Sequence, residues 1–179
     1  MIYMFLAEGF EEVEALCPLD IMRRAGLSVK TVGVGGREIT GSHNITVKAD
    51  VTDSEFDGGD AEMIFLPGGM PGTLNLADSS TVIDAINNAI TANIYIAAIC
   101  AAPSILGDMG LLVGKEAICY PGFEDRLTGA VVSEKKVVRD GKIITAAGMG
   151  VALDLGLEIV NVFCGKAKAD DLKKAVIYA

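Results

Sequence analysis

The sequence contains no tryptophan and one histidine, and aromatic residues make up only 6% of its 179 residues. No apolar run reaches the roughly 20 residues that a membrane-spanning helix needs. Basic residues are also scarce: the formal net charge is −9, and lysines adjoin only in pairs, at 135–136 and 173–174. We therefore expect no membrane partner, and the charge disfavours nucleic acid as the main partner.

Cysteines are few and widely separated. The four of them, Cys17, Cys100, Cys119 and Cys164, have no metal-ligand spacing. A chain of this length needs no disulfide to support its core, so we expect free thiols in a reducing compartment. The apolar N-terminus lacks the basic region of a signal peptide and is interpreted as a first strand. These features predict a cytoplasmic protein, and the sequence offers no site for a metal or an organic cofactor.

Apolar residues are abundant, at 51% of the chain, which suits parallel strands covered on both faces. The length predicts a single domain over residues 1–179. Strands are predicted at 2–6, 28–34, 62–66 and 94–99, helices at 11–24, 82–90, 103–109, 151–163 and about 169–176, and a β-hairpin at 137–144 around an Asp-Gly turn. Inside the first helix, Pro18 predicts a kink or a broken first turn.

The alternation of strands and helices predicts an α/β fold. Its sheet should be open and mostly parallel, with helices on both faces and one β-hairpin insertion. Ligands in such folds lie outside the carboxyl ends of the strands. Glu14, the Gly68-Gly69 turn and Cys100 all fall at that edge. Their convergence predicts a reactive site there.

Cys100 is the most informative single residue. An apolar run of strand length ends at this cysteine, and a helix-compatible segment of small residues follows at once. Such a corner exposes a side chain and sets it against the first backbone N–H groups of the next helix. Those groups favour the thiolate and are expected to lower the thiol pKa. The alternative is a buried cysteine that packs as a small hydrophobic side chain.

Backbone amides and one acid are the predicted neighbours of this thiol. The N–H groups of Gly69 and Ala101 are candidates for an oxyanion hole. Glu14 is the best acid candidate, because a carboxyl with a raised pKa would donate a hydrogen bond to the thiolate. A solvated acid at a helix N-terminus is the alternative. The residues alone do not choose among four acids, Glu8, Glu11, Glu12 and Glu14.

His43 is the only histidine, and it lies in the polar stretch 40–44. A cysteine–histidine pair needs an imidazole within hydrogen-bond reach of the sulfur. The polar stretch predicts a loop or a hairpin end. We therefore expect His43 to be a surface residue rather than a base, unless a dimer neighbour brings it near a site.

Four ordered blocks, at 7–14, 18–26, 66–69 and 97–103, resemble the ThiJ/PfpI family. The resemblance covers nearly the whole chain, and it is to the branch of the parkinsonism-associated deglycase and its bacterial relatives. It implies a flavodoxin-like three-layer sandwich and a homodimer.

The resemblance also implies roles for individual residues. It maps the reactive cysteine onto Cys100 and its protonated glutamate partner onto Glu14, with the amides of Gly69 and Ala101 near the sulfur. The family's cysteine oxidises readily to a sulfinate, which suits an accessible thiolate. The substrate-binding positions that we predict are Gly68, Met70, Tyr120, Pro121, Gly148 and Met149.

Two departures from the family pattern affect the expected chemistry. The protease-like branch has a histidine directly after the cysteine, where this chain has Ala101. No imidazole is then in place to carry a proton to a leaving amine. The deglycase branch often has a histidine where this chain has Tyr120-Pro121, so we expect substrate handling near Tyr120 to differ from that branch.

Three functions compete at this stage. The first is a cofactor-free enzyme, similar to a glyoxalase or a deglycase, that acts on α-oxoaldehydes or their protein and nucleotide adducts through Cys100 and Glu14. It would serve under carbonyl or oxidative stress. The second is a redox-sensing or chaperone-like protein whose cysteine oxidises to a sulfinate. The third, ranked lowest because of Ala101, is an intracellular peptidase or amidase.

Overall fold

The structure is a computed structural model, and it describes residues 1–178. Its strands are β1 (Ile2–Leu6), β2 (Val29–Gly33), β3 (Glu38–Thr40), β4 (Thr46–Lys48), β5 (Val51–Thr52), β6 (Met63–Leu66), β7 (Tyr95–Ile99), β8 (Glu116–Ala117), β9 (Val131–Val132), β10 (Val137–Asp140) and β11 (Ile143–Ala146). Its α-helices are α1 (Glu12–Arg24), α2 (Gly72–Asp78), α3 (Ser80–Thr91), α4 (Pro103–Asp108), α5 (Ala152–Cys164) and α6 (Lys166–Ala175). Short 3₁₀ turns lie at Asp53–Glu55, Glu124–Arg126 and Met149–Val151.

Seven strands form the central sheet, in the order β10-β11-β7-β6-β1-β2-β5. Neighbouring strands are parallel, except for the antiparallel pair β10 and β11. The chain places β2 and β5 on one side of β1 and then crosses to β6, β7 and β11 on the other. The strand order therefore reverses between β1 and β6, which is where open α/β sheets bind ligands.

Two apolar cores cover the two faces of this sheet. Along β1, Tyr3 and Phe5 belong to one core, whereas Ile2, Met4 and Leu6 belong to the other, because successive side chains of a strand point to opposite faces. Helices α2, α3 and α4 pack on the first core, and α1 and α5 pack on the second. Helix α6 packs against α5. The predicted α/β sandwich with helices on both faces is thus confirmed.

The predicted strands and helices are present, with shifted ends. Helix α3 begins at Ser80 rather than at residue 82, because Ser79 caps it by accepting a hydrogen bond from the Val82 amide. The last helix begins at Lys166 rather than at about residue 169. Strand β7 begins at Tyr95, one residue later than predicted. Helix ends depend on such local caps, which periodicity does not reveal.

Pro18 does not break the first helix. Helix α1 is continuous from Glu12 to Arg24, so the prediction of a broken first turn is wrong. The reason is tertiary packing on α5: a Cβ added to Gly156 of α5 would lie 3.1 Å from the Cα of Pro18. This close approach of the two helices holds the helical path across the proline.

The β10–β11 hairpin is confirmed, but its turn lies one residue later than Asp140-Gly141. Asp140 pairs with Ile143, so the two loop residues are Gly141 and Lys142. Gly141 has φ 61° at the first loop position, where a type II′ turn requires glycine. Other elements were not predicted: the β3–β4 hairpin, the short strand β5, the β8–β9 pair and helix α2. Within residues 1–178, no helix is long and apolar enough to span a bilayer.

Candidate active site

Cys100 lies at a sharp corner directly after β7, and helix α4 begins three residues later at Pro103. Its φ is 65°, a left-handed conformation that residues other than glycine rarely adopt. The corner is fixed by two backbone hydrogen bonds. The Cys100 amide donates to the Ala146 carbonyl at 2.9 Å, and the Cys100 carbonyl accepts from the Tyr120 amide at 2.7 Å. The side chain is partly exposed, as the predicted corner requires.

Glu14 faces Cys100 from the first turn of α1. Only 1% of this glutamate is exposed, and its carboxyl is hydrogen-bonded to the Cys100 side chain. The amides of Gly68 and Met149 also donate to the carboxyl, the former at 3.1 Å to Oε2. The contact therefore joins the segments after β1, β6, β7 and β11 at the carboxyl edge of the sheet.

Gly68 has no room for a side chain. A Cβ at this position would lie 2.5 Å from Oε2 of Glu14 and 2.6 Å from the Cβ of Cys100. Both distances are far inside van der Waals contact, so only glycine permits the carboxyl and the thiol to meet here. The sequence predicts that this glycine belongs to a turn, but only the structure shows the steric reason why no larger residue fits there.

Two backbone amides, those of Gly69 and Ala101, donate to the Cys100 sulfur. Gly69 has φ 94°, and a Cβ there would lie 2.3 Å from the Glu11 amide. Ala101 is 2% exposed, so its amide is shielded from competing water. The structure thus brings together the four residues that the sequence analysis grouped around the thiol.

Burial dominates the proton equilibria of this pair. It raises the pKa of Glu14 to about 7, and the charge of Glu11 adds to the effect, while hydrogen bonds from Cys100, Gly68 and Met149 oppose it. Burial also raises the pKa of Cys100 to about 12, together with the negative charge of Glu14 and its hydrogen bond. The amides of Gly69 and Ala101 oppose this rise without cancelling it.

The prediction that the helix-end amides lower the thiol pKa is therefore wrong: burial and the charge of Glu14 raise it, and the amides only oppose that rise. Two adjacent buried negative charges repel each other, so the pair resists losing its second proton. Because the charge of Glu14 raises the pKa of Cys100, the second proton of the pair is held well above neutral pH, and Glu14 and Cys100 share one proton over a wide pH range. The reactivity of the sulfur depends on which of the two residues holds that proton.

Three residues next to the backbone contacts of the pair are about half exposed. The exposed fractions are 47% for Met70, 51% for Tyr120 and 53% for Met149. Gly148 lies beside them: a Cβ there would be 3.3 Å from Cδ2 of Tyr120 and 3.8 Å from Oε1 of Glu14. Pro121 is exposed and follows Tyr120 in this loop. These are five of the six positions that the sequence analysis assigned to substrate binding.

His43 lies away from the pair and binds Glu12 instead. Its Nδ1 is 2.8 Å from Oε2 of Glu12, and its amide donates to Oε1 at 2.7 Å. The hydrogen bond to Glu12 raises the pKa of His43. Although burial raises the pKa of Glu12, its hydrogen bonds with His43 and Ile45 outweigh burial and lower it. His43 is thus the exposed residue that the sequence predicted, in a hairpin loop.

The structure distinguishes the four acids of the first loop. The Glu8 carboxylate accepts from the Thr40 amide, and Glu11 caps α1 by accepting from the Glu14 amide at 2.7 Å. Glu12, 3% exposed, anchors the β3–β4 hairpin, and its role was missed because its partners are some 30 residues away in the chain. Glu11, Glu12 and His43 place three potential metal-ligand atoms within 4.8 Å of one another, but the described hydrogen bonds already pair Glu12 with His43.

Comparison with known proteins is consistent with this geometry. A family model described as the DJ-1/PfpI family matches residues 1–162. Protein dj-1beta of Drosophila melanogaster is 33% identical over 179 residues, covering 98% of this chain and 96% of the relative. Glutathione-independent glyoxalase DJR-1.2 of Caenorhabditis elegans is 28% identical over 174 residues, covering 96% and 92%.

Solved structures give the same result. The structure described as "Toxoplasma gondii DJ-1, oxidized" superposes with a TM-score of 0.95 at 31% identity, covering 99% of this chain and 98% of that chain. The sheet order, the cysteine corner and the buried glutamate therefore lie in a fold that this relative shares over its full length. On the family match over residues 1–162 and the identity to the fly protein, the chain belongs to the DJ-1/PfpI family.

Proposed function

We propose that this protein is a cysteine-dependent enzyme that acts on α-oxoaldehydes or their adducts, with Cys100 as nucleophile and Glu14 as proton carrier. One observation carries the proposal: a buried carboxyl with a pKa of about 7 is hydrogen-bonded to a partly exposed thiol at a strained corner. A group that gains and loses a proton near neutral pH suits general acid–base catalysis. The name of the nematode relative, a glutathione-independent glyoxalase, supports the reaction class.

The reactive form of the pair carries its shared proton on Glu14. With Glu14 neutral, its charge no longer opposes ionisation of the thiol, and its O–H donates to the sulfur. The amides of Gly69 and Ala101 donate to the same sulfur. Three donors then stabilise the thiolate in a partly buried site, where hydrogen bonds to a charged group are strongest.

The proposed reaction begins with attack on the aldehyde carbon of methylglyoxal or glyoxal. The C–S bond forms, and the carbonyl oxygen receives the Glu14 proton, which gives a hemithioacetal. The backbone amides of Gly69 and Ala101 stabilise the negative charge that develops on that oxygen. The Glu14 carboxylate then removes the proton on the former aldehyde carbon and returns it to the neighbouring carbon, while the hydroxyl proton of the first carbon passes to the ketone oxygen of the second.

This proton transfer oxidises the first carbon and reduces the second, so no external oxidant is needed. The product is a 2-hydroxy thioester of Cys100. Water cleaves the C–S bond, releasing the hydroxyacid and restoring the thiol and its shared proton. With a glycated adduct as substrate, the Glu14 proton goes to the departing amine instead.

Lactate production from methylglyoxal tests the proposal. We expect Cys100→Ser to abolish activity and Glu14→Gln to reduce it by at least about a hundredfold, which is the usual scale of a lost general acid–base. Cys164→Ser is the matched control, because Cys164 is an exposed cysteine at the end of α5. Equal lactate production by all four proteins would refute the proposal.

A second candidate function is peroxide sensing through the same sulfur. The partial exposure of Cys100 beside a proton-bearing acid supports it, as does the description of the Toxoplasma gondii relative as oxidized. The thiolate would displace hydroxide from peroxide to give a sulfenic acid, and a second peroxide would give the sulfinate and water. A gain of two oxygens at Cys100 under mild peroxide, with negligible aldehyde turnover, would favour this function.

The remaining expectations have less support. The geometry does not favour a peptidase or an amidase, because Ala101 follows the cysteine and His43 is hydrogen-bonded to Glu12. The single domain, the homodimer and the cytoplasmic location stay predictions. Light scattering of the purified protein tests the dimer, and cell fractionation tests the location.

A further inference from the structure

Glu12 is a buried carboxylate that the proposed reaction does not use. Only 3% of this residue is exposed. Its described partners outside α1 lie in the loop between β3 and β4. Oε1 accepts from the amides of His43 at 2.7 Å and Ile45 at 3.4 Å, and Oε2 lies 2.8 Å from Nδ1 of His43 and 3.5 Å from Oγ of Ser42. The side chain therefore joins the start of α1 to this loop.

These contacts bind a charged group. Burial raises the pKa of Glu12, but the hydrogen bonds with His43 and Ile45 outweigh burial and lower it, so the group is a carboxylate at neutral pH. Hydrogen bonds to an ionised acceptor are about twice as strong as those between neutral groups. A buried carboxylate without them would bear the full cost of desolvation. The carboxyl group of Glu12 is therefore held firmly in one place.

We infer that Glu12 is a positioning residue for the reactive pair: it fastens the first turn of α1 to the β3–β4 loop and thereby fixes the rotation at which Glu14 meets Cys100. The inference rests on the proposed function where it concerns turnover. Where it concerns the reactivity of the sulfur, it rests on the geometry of the pair alone.

The helical spacing of the two glutamates supports this role. Residues two positions apart on an α-helix point about 200° apart around its axis. Glu12 is bonded to the β3–β4 loop, whereas Glu14 is bonded to the Cys100 side chain. Any rotation of the first turn moves both carboxyl groups at once. The bonds of Glu12 therefore resist a rotation that would withdraw Glu14 from the sulfur.

Backbone contacts hold the segment before α1 between the same two regions. The Ser42 amide donates to the Phe10 carbonyl at 2.8 Å, and the Glu11 amide donates to the Gly68 carbonyl at 2.9 Å. The Gly68 amide in turn donates to the Glu14 carboxyl. A displacement on the side of the β3–β4 loop is thus passed through residues 10–11 to the groups around the thiol.

The loop backbone packs directly on the Glu12 carboxyl. A Cβ at Gly41 would lie 2.3 Å from Oε1 and 2.4 Å from Cδ of Glu12. Both distances are far inside van der Waals contact, and the buried carboxyl is held by its hydrogen bonds. Gly41→Ala should therefore displace Glu12 without removing any group that binds it.

Turnover of methylglyoxal gives the first measurement. Glu12→Ala should lower kcat for lactate production by about tenfold and leave KM nearly unchanged, because a misplaced general acid–base slows the chemical step. Gly41→Ala should act in the same direction. Glu12→Gln should restore most of the activity, since its side-chain oxygen still accepts from the His43 amide.

Matched variants control for each of these changes. Glu38→Gln alters an exposed glutamate on β3 of the same hairpin. Gly36→Ala and Gly150→Ala each add a methyl group where a Cβ has no neighbour within 4 Å. All three controls should keep the wild-type kcat.

Iodoacetamide labelling across pH 5–10 distinguishes positioning from loss of folding. Cys119 is 1% exposed and reports unfolding, because it can react only when the core opens. With Cys119 still protected, Glu12→Ala should move the midpoint of Cys100 labelling by about half a pH unit, in the same direction as Glu14→Gln does. In the Glu14→Gln background it should move the midpoint no further, because it acts through Glu14. If Glu12→Ala exposes Cys119, Gly41→Ala is measured in its place.

Two results would overturn the inference: an unchanged midpoint while Cys119 stays protected, or an equal further shift in the Glu14→Gln background. A shifted midpoint in a protein that produces no lactate would support the inference and count against the proposed function. Lactate production with kcat and midpoint unchanged in Glu12→Ala would refute the inference and leave the proposed function intact.

Discussion

Replacing Glu14 with glutamine tests which residue of the reactive pair holds the shared proton. Glutamine has nearly the shape of glutamic acid and can still donate a hydrogen bond to the sulfur, but it has no proton to give and no charge. The variant therefore removes both effects by which an ionised Glu14 raises the pKa of Cys100. The direction in which Cys100 reactivity then moves distinguishes the two placements of the proton.

The two placements predict very different thiolate populations. If Glu14 keeps the proton, it carries no charge to raise the pKa of Cys100 and its O–H donates to the sulfur, so thiolate is present near neutral pH. If Glu14 is ionised instead, the pKa of about 12 for Cys100 leaves only on the order of one thiolate in 10⁵ at pH 7.

We expect the first of these patterns. Glutamine is a weaker donor to a thiolate than a carboxylic acid, while burial of the sulfur persists. The midpoint of Cys100 alkylation should therefore rise by about one pH unit in Glu14→Gln, and the rate at pH 7 should fall about fivefold. The assay is iodoacetamide labelling across pH 5–10, resolved to Cys100 by mass spectrometry, with exposed Cys164 in the same chain as the reference thiol.

The opposite result would refute this reasoning. A wild-type midpoint above pH 10 that falls in Glu14→Gln would mean that Glu14 holds the charge and suppresses the nucleophile. Cys100 would then be an inert thiol at neutral pH, and the proposed attack on an aldehyde would have no reactive species to perform it.

Three further predictions concern stability and steric fit. The folded state raises the pKa of Glu14 from 4.5 to about 7, so between these pH values it binds more protons than the unfolded state does. The free energy of unfolding of the wild type, measured in urea, should therefore fall by about 3 kcal/mol as pH rises from 4.5 to 7. A parallel fall in Glu14→Gln would contradict this. Gly68→Ala should lower lactate production by at least about a hundredfold by forcing the carboxyl and thiol apart, and activity close to that of Gly150→Ala would disprove the steric requirement. The pKa of His43 is raised in the folded state, so protonated His43 stabilises the fold below its unfolded pKa of 6.5, and this stabilisation is lost as pH rises through its folded pKa. His43→Ala should therefore lower the urea midpoint of unfolding at pH 5 but not at pH 9. An equal decrease at both pH values would rule out the interaction with Glu12 as the source of the stabilisation.

The central strands could be predicted from the sequence because of where they lie. All five residues of β1 are buried, so the strand is a continuous apolar run, and the same holds for most of β7. The β3–β4 hairpin was missed because five of its six residues are polar or half exposed, with only Ile39 buried, and because the hairpin is held in part by the distant carboxylate of Glu12. Helix α2 was missed because it begins with Gly72 directly after Pro71, a pair that is typical of a loop.

The candidate site, too, could be predicted only where its features are local in the sequence. Cys100 stands out because the chain changes from strand to helix composition around it, and both features are local. The partnership with Glu14 joins residues far apart in the chain, so local pattern could rank the acids of the first loop but could not choose among them. The thiol pKa was misjudged because neighbouring amides can be read from the sequence, whereas burial and a facing charge arise only on folding.

The corner at Cys100 is held by hydrogen bonds to Ala146 and Tyr120, and its sulfur meets groups that follow β1 and β6. Because the groups that set the pKa of Cys100 come from several separate segments, they surround the sulfur only in the folded state. Alkylation kinetics at this one sulfur are therefore a built-in reporter of native structure: any unfolding that separates these segments returns the thiol to the behaviour of an ordinary cysteine.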